Sequence, residues 1–167
     1  MLFIQRKRLI ASILSIAAAA PCMLAFGAES ISGMNADQVA GCRYASQTTQ
    51  WLAMFRDRGD SQVQAVEGFL TVARTARSPD AEMEKATRED ATRRAAFVFA
   101  VPNFAPVTFG HFEFSVCKMR MLNGWLPDFA KADQITEQVV ACQTQNKELK
   151  SDAMAACVDK VVLGNRK

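Results

Sequence analysis

The chain has 167 residues, half of them hydrophobic, with 20 Lys and Arg against 17 Asp and Glu, a single His and a formal net charge of +3. One domain is expected at this length, with a core large enough to stand alone. The basic balance would ordinarily point to nucleic acid or an anionic surface, but the whole excess sits in Arg6, Lys7 and Arg8. From residue 28 onward 17 basic residues face 17 acidic ones. A neutral chain has no long-range field toward phosphate, so nucleic acid is excluded as the expected partner.

Those three cations lead into an apolar run from Leu9 to Ala20 that ends at Pro21, the pattern of a secretory signal. Small residues at Ala25 and Gly27 predict cleavage after Gly27. Cleavage after Ala28 would place bulky Phe26 where a small residue is required, and cleavage after Ala20 would leave Pro21 at the new terminus. Lipid attachment through Cys22 is disfavoured by the preceding Pro21, and retention as an anchor by the Ala-rich, Pro-interrupted run. The expected division is a cleavable signal over 1–27, a short flexible N-terminus over 28–34 and a single helical domain over 35–167. A bacterial periplasmic or secreted location is expected, with no membrane association after cleavage.

Asn35 and Gln38 form a capping pair for a helix over Asn35 to Arg58, closed by Gly59. On it Val39, Cys42, Ser46, Thr49 and Ala53 share one face. Tyr44, Thr48, Trp51 and Phe55 share another, which is read as core. Asp60 or Ser61 caps a second helix, where Ser61 and Gln64 form a capping-box pair and Val63, Val66, Leu70 and Ala73 recur at helical spacing. A third begins at Ser78 with Pro79 in its first turn, and its mixed charges from Glu82 to Arg94 read as a solvated face.

Six of the eleven phenylalanines lie between Phe97 and Phe114. Alternation of Phe97, Phe99 and Val101, and of Phe112, Phe114 and Val116, would suit a small β-hairpin within 97–116. The reading adopted is a helix opened by Pro106 and closed by Asn123 and Gly124, with Phe109, Phe112, Val116 and Met119 on one face. Ile135, Val139 and Cys142 mark a further helix starting near Asp128 or Asp133. Met154, Cys157, Val158 and Val161 mark a last one after Ser151. The predicted fold is all-α: a small disulfide-braced bundle of five to six helices ending in an α-hairpin, the alternative being helices with the small β-hairpin.

Loss of Cys22 with the signal leaves Cys42, Cys117, Cys142 and Cys157, an even number that reads as two disulfides. Zinc usually draws on closer Cys pairs than the nearest one here. Cys142 and Cys157 lie at similar distances from the break at Glu148 to Lys150, so antiparallel packing would bring them opposite each other. That leaves Cys42 for Cys117 by elimination, with the other two pairings still open.

Cys42, Ala45, Arg56, Asp57, Gly59, Ser61 and Val66 form a pattern of cysteine, helix, Arg-Asp-x-Gly-x-Ser turn and second helix. From about residue 35 to residue 117 the chain resembles a loose set of small exported helical proteins of proteobacteria. The resemblance implies a helical fold and a Cys42–Cys117 bond, and it implies no activity.

His111 is the single candidate for base catalysis at neutral pH, but it sits among phenylalanines with no nucleophile motif beside it and reads as structural. The pairs Asp57/Asp60 and Glu89/Asp90 flank a turn and point apart on a helix, and the glycines are isolated, so no phosphate loop is present. No catalytic, cofactor-binding or metal residue is assigned, and no cofactor is expected. The expectation is a non-catalytic protein-binding module of the inhibitor, immunity or chaperone-like kind. Phe104, Trp125 and Phe129 are its candidate contacts with another periplasmic protein. The alternative is a minor hydrolase using carboxylate or His111 chemistry.

Overall fold

The computed structural model describes residues 33–76, 80–146 and 148–166. Among these run six α-helices: α1 (Ala36–Asp57), α2 (Gln62–Ala76), α3 (Ala81–Ala100), α4 (Pro106–Asn123), α5 (Ala132–Gln145) and α6 (Asp152–Gly164), with a 3₁₀ turn at Phe129–Lys131. The fold is all-α and ends in the expected α-hairpin, α5–α6. The β-hairpin alternative fails, because residues 97–116 form the end of α3 and the first half of α4. The only β pairing among the described residues is an isolated bridge between Pro127 and Arg166. The signal over 1–27 and most of 28–34 lie outside the described residues.

Local chemistry sets the helix ends. Asn35 and Gln38 exchange side-chain and backbone hydrogen bonds, both 2.9 Å, at the start of α1, and Ser61 and Gln64 do the same for α2. The cap of α3 is Asp80, whose side chain accepts from the Met83 amide at 2.7 Å, two residues beyond the expected Ser78. A carboxylate is the stronger acceptor there and also complements the helix dipole. Pro106 occupies the first turn of α4, and Gly124 closes that helix at φ 69°, a left-handed conformation that costs glycine little.

Helix α4 packs antiparallel along α1. Cys42 is bonded to Cys117 near one end, the Ser46 hydroxyl donates to the Gly110 carbonyl at 2.9 Å in the middle, and Arg56 reaches the Phe104 carbonyl at 2.8 Å at the other end. Gly110 permits the approach: a Cβ there would overlap the Gln50 amide and lie 2.6 Å from Gln50 Cδ. Helices α2 and α3 also pack on α1, while α6 packs on α4 and α5. The second disulfide, Cys142–Cys157, joins α5 to α6.

The phenylalanine cluster fills the centre. Phe104 and Phe109 pack with ring centroids 5.1 Å apart, and Phe97 and Phe112 with theirs 5.6 Å apart. Two apolar assignments are corrected. Val63 is 72% exposed, because the buried face of α2 runs through Ala65, Val66, Phe69 and Leu70. Tyr44 is exposed while Thr48 and Phe55 below it are buried, so its stripe enters the core only after the first turn. The charged face of α3 is not simply solvated either. Arg88 pairs with Glu67 and Glu84 with Arg74, both across to α2, and Arg94 spans Asp90 and Glu113 of α4.

Arg56 ties the α3–α4 connection to α1. Its guanidinium donates to the carbonyls of Val98 and Val101, both at 3.0 Å, and of Phe104, and lies 5.3 Å from the Phe109 ring centroid. In a continuing helix the Val98 carbonyl would accept from residue 102, but that residue is Pro102 and has no amide hydrogen. Arg56 supplies the missing donor.

Candidate functional site

Beyond Gly124 the chain crosses to the end of α6. Pro127 bridges to Arg166, and the Asp128 amide donates to the Asn165 carbonyl at 2.8 Å. Asn165 is buried and anchors this crossing, its side-chain amide donating to Gln138 at 2.7 Å and to the Val161 carbonyl at 2.9 Å. These bonds place the Arg166 guanidinium over the Trp125 ring, 4.9 Å from its centroid. Met121, Leu122, Trp125 and Leu126 from the end of α4, and Leu163 from α6, are all exposed, Trp125 to 38% and Leu163 to 40%.

Beside them α6 presents an open groove of about 480 Å³ lined by Ala156, Asp159, Lys160, Leu163, Gly164 and Arg166. Leu163 and Arg166 belong to both features, so groove and apolar surface are continuous. Apolar residues collected at one end of a small domain, with polar groups beside them, are the usual form of a docking surface.

Of the three contact residues expected from sequence, Trp125 is on this surface. Phe104 is not: it is 2% exposed and packed against Phe109 and Phe112, because the turn after α3 folds its ring inward beneath the Arg56 clamp. The Phe129 side chain lies outside the description. Leu126, Leu163, Lys160 and Arg166 were not singled out from sequence. The signal that could have found the first is the run Trp125-Leu126-Pro127 directly after a helix-ending Gly124, which places bulky groups where no helix face can bury them.

A polar cluster lies beneath the groove at the α4–α6 contact. His111, Ser115 and Lys118 recur at helical spacing on α4, and the latter two meet Asp159 of α6. The Ser115 hydroxyl and the Lys118 ammonium both donate to the Asp159 carboxylate. His111 Nε2 donates to the Leu149 carbonyl at 2.8 Å, and burial pushes the imidazole pKa down, the Leu149 bond and the Asp159 charge opposing that in part. Serine, histidine and aspartate are the residue types of a hydrolytic triad, yet the wiring differs. Nucleophilic catalysis needs the serine hydroxyl to give its proton to the histidine, whereas here it is directed at the carboxylate. The cluster joins two helices through one charge, hydrogen-bonded on both oxygens.

Glu113 of α4 faces Arg94 of α3. Burial raises its carboxyl pKa, and the Arg94 guanidinium beside it draws the value part of the way back. Among the described residues no group of three or more His, Cys, Asp or Glu is placed to hold a metal ion, and no helix is long and apolar enough to cross a membrane.

Among the described residues the architecture is thus a disulfide-braced bundle of six helices with exposed apolar side chains at one end. No protein-family model matches the chain, and neither a curated protein nor a solved structure is significantly similar to it.

Proposed function

We propose that this chain is an exported, non-catalytic module that binds another protein outside the cytoplasm, in the manner of an inhibitor, an immunity protein or a small chaperone. The observation that carries the reading is the exposed surface of Met121, Leu122, Trp125, Leu126 and Leu163 at one end of the bundle. Tryptophan with neighbouring aliphatic side chains is the usual composition of an interface centre. Export is supported by the charged-then-apolar N-terminal sequence and by two disulfides, which persist in oxidising compartments. The hydrolase alternative needs His111 to reach a substrate, and the residue is only 6% exposed with Nε2 engaged at Leu149.

Capture of partners from periplasmic extract with the oxidised chain, residues 28–167, tests the proposal. A partner should be retained by the native protein and by Val63→Ser, which alters an exposed side chain elsewhere, and lost from the Trp125→Ser/Leu126→Ser variant. Recovery of nothing above background, or capture indifferent to Trp125 and Leu126, counts against it.

A further inference from the structure

The apolar surface has an electrostatic side that narrows its partner. Three charged residues line the groove: Asp159, Lys160 and Arg166. The one acid is already committed, since both oxygens of Asp159 accept from α4, one from Ser115 and the other from Lys118. The neighbouring carboxylate, Asp128, lies 3.9 Å from the Lys131 ammonium. Lys160 and Arg166 are exposed, and among the described residues neither is in an ion pair. Arg166 is instead stacked over Trp125, which holds its guanidinium at the junction of groove and apolar surface.

From this complementarity we infer that the partner meets the surface with an acidic, amphipathic peptide segment. Its carboxylates sit on Lys160 and Arg166, and its bulky apolar side chains lie across Trp125, Leu126 and Leu163. This rests on the binding reading above and adds the chemistry of the partner. Exposed cations at the edge of an interface contribute modestly to affinity and strongly to the choice of partner. A guanidinium already oriented by an aromatic ring loses less freedom when a carboxylate arrives. Anionic membrane is the competing source of negative charge, and the charge balance speaks against it: from residue 28 onward 17 basic and 17 acidic residues cancel, without the polybasic cluster that holds a protein on lipid.

The test selects a displayed library of random linear peptides on the oxidised chain, residues 28–167. Selected peptides should combine Asp or Glu with Leu, Phe or Trp. Their affinity should fall by about tenfold or more on Lys160→Glu/Arg166→Glu, a usual size for paired charges at an interface. Selection on that double variant should enrich Lys and Arg instead. Lys160→Glu alone leaves the Arg166–Trp125 contact in place and should produce part of the same change. Apolar peptides without acids, unaffected by the charge reversal but lost on Trp125→Ser, would overturn the inference while leaving the binding reading intact. Failure to enrich any peptide that depends on Trp125 would overturn both. Attachment to phosphatidylcholine vesicles containing phosphatidylglycerol, lost in the double variant, would overturn the peptide in favour of lipid.

Discussion

Arg56 offers the sharpest test of how the bundle is held together, and the structure sets the magnitude. Replacing it by Met keeps most of the aliphatic stem but removes three donors, leaving the carbonyls of Val98, Val101 and Phe104 to find others. Val101 retains a long bond from the Phe104 amide at 3.4 Å, so two carbonyls lose most. Both belong to residues 2% exposed or less, and Pro102 cannot serve Val98. An unsatisfied buried polar group costs about 1–3 kcal/mol, so Arg56→Met is expected to lose about 4 kcal/mol, with the Phe109 contact contributing up to about 1 kcal/mol of that. Arg56→Lys, with one point charge in place of a planar fork, should lose about half as much. Urea unfolding of the oxidised protein, followed by far-ultraviolet circular dichroism, measures both. A loss below about 1 kcal/mol for Arg56→Met, with an unchanged denaturant slope, would mean that water satisfies these carbonyls and that the clamp is not structural.

The α1–α4 contact makes a second prediction. Gly110→Ala gains about 1 kcal/mol of helix propensity but displaces Gln50, so the single variant should be destabilised and Gly110→Ala/Gln50→Ala should recover most of the loss, as a double-mutant cycle in unfolding would show. His111 is the chain's only histidine, so nuclear magnetic resonance should give one imidazole titration, centred below the ordinary value of 6.5; a midpoint at or above 6.5 contradicts its burial. Because the folded value is depressed, the unfolded chain takes up the proton first. His111 therefore lowers stability as pH falls below about 6.5, and His111→Gln should flatten that part of the stability profile. The disulfides close loops with separations of 75 and 15 residues, and chain entropy assigns them about 4.5 and about 3 kcal/mol; paired Cys→Ala substitutions should show the larger loss at Cys42/Cys117, and the reverse order would contradict the loop-length argument.

Features written in short-range chemistry were legible in the sequence. Asn35 with Gln38, Ser61 with Gln64, and Pro106 with Gly124 each mark a helix end through bonds made within a few residues, and the structure contains those ends. The two disulfides followed from cysteine parity and the symmetry of the α5–α6 break. Long-range choices were not legible. Phe104 and Trp125 are both bulky aromatics in connections, and only the Arg56 clamp and the crossing to Arg166 decide that one ring turns inward and the other outward. Val63 has the right spacing for the core, but α2 rotates to bury Phe69. The Ser115–Asp159–Lys118 cluster joins residues more than 40 positions apart, beyond the reach of any local pattern. Of the candidate surface, the sequence displayed Trp125. Its neighbours from α6 come beside it only when Asn165 and Arg166 pair with the segment after α4.

A photo-reactive amino acid placed at Leu126 in the oxidised chain, expressed with its N-terminal segment in a bacterial host, probes the proposed binding surface where it would be used. A discrete crosslinked product is expected on illumination at Leu126, and none at Val63, an apolar position on α2 that is more exposed still. The Leu126 product should disappear when Trp125→Ser is added. Equal crosslinking at both positions, or a Leu126 product that survives the loss of Trp125, would contradict the claim that this end of the bundle is where the protein meets its partner.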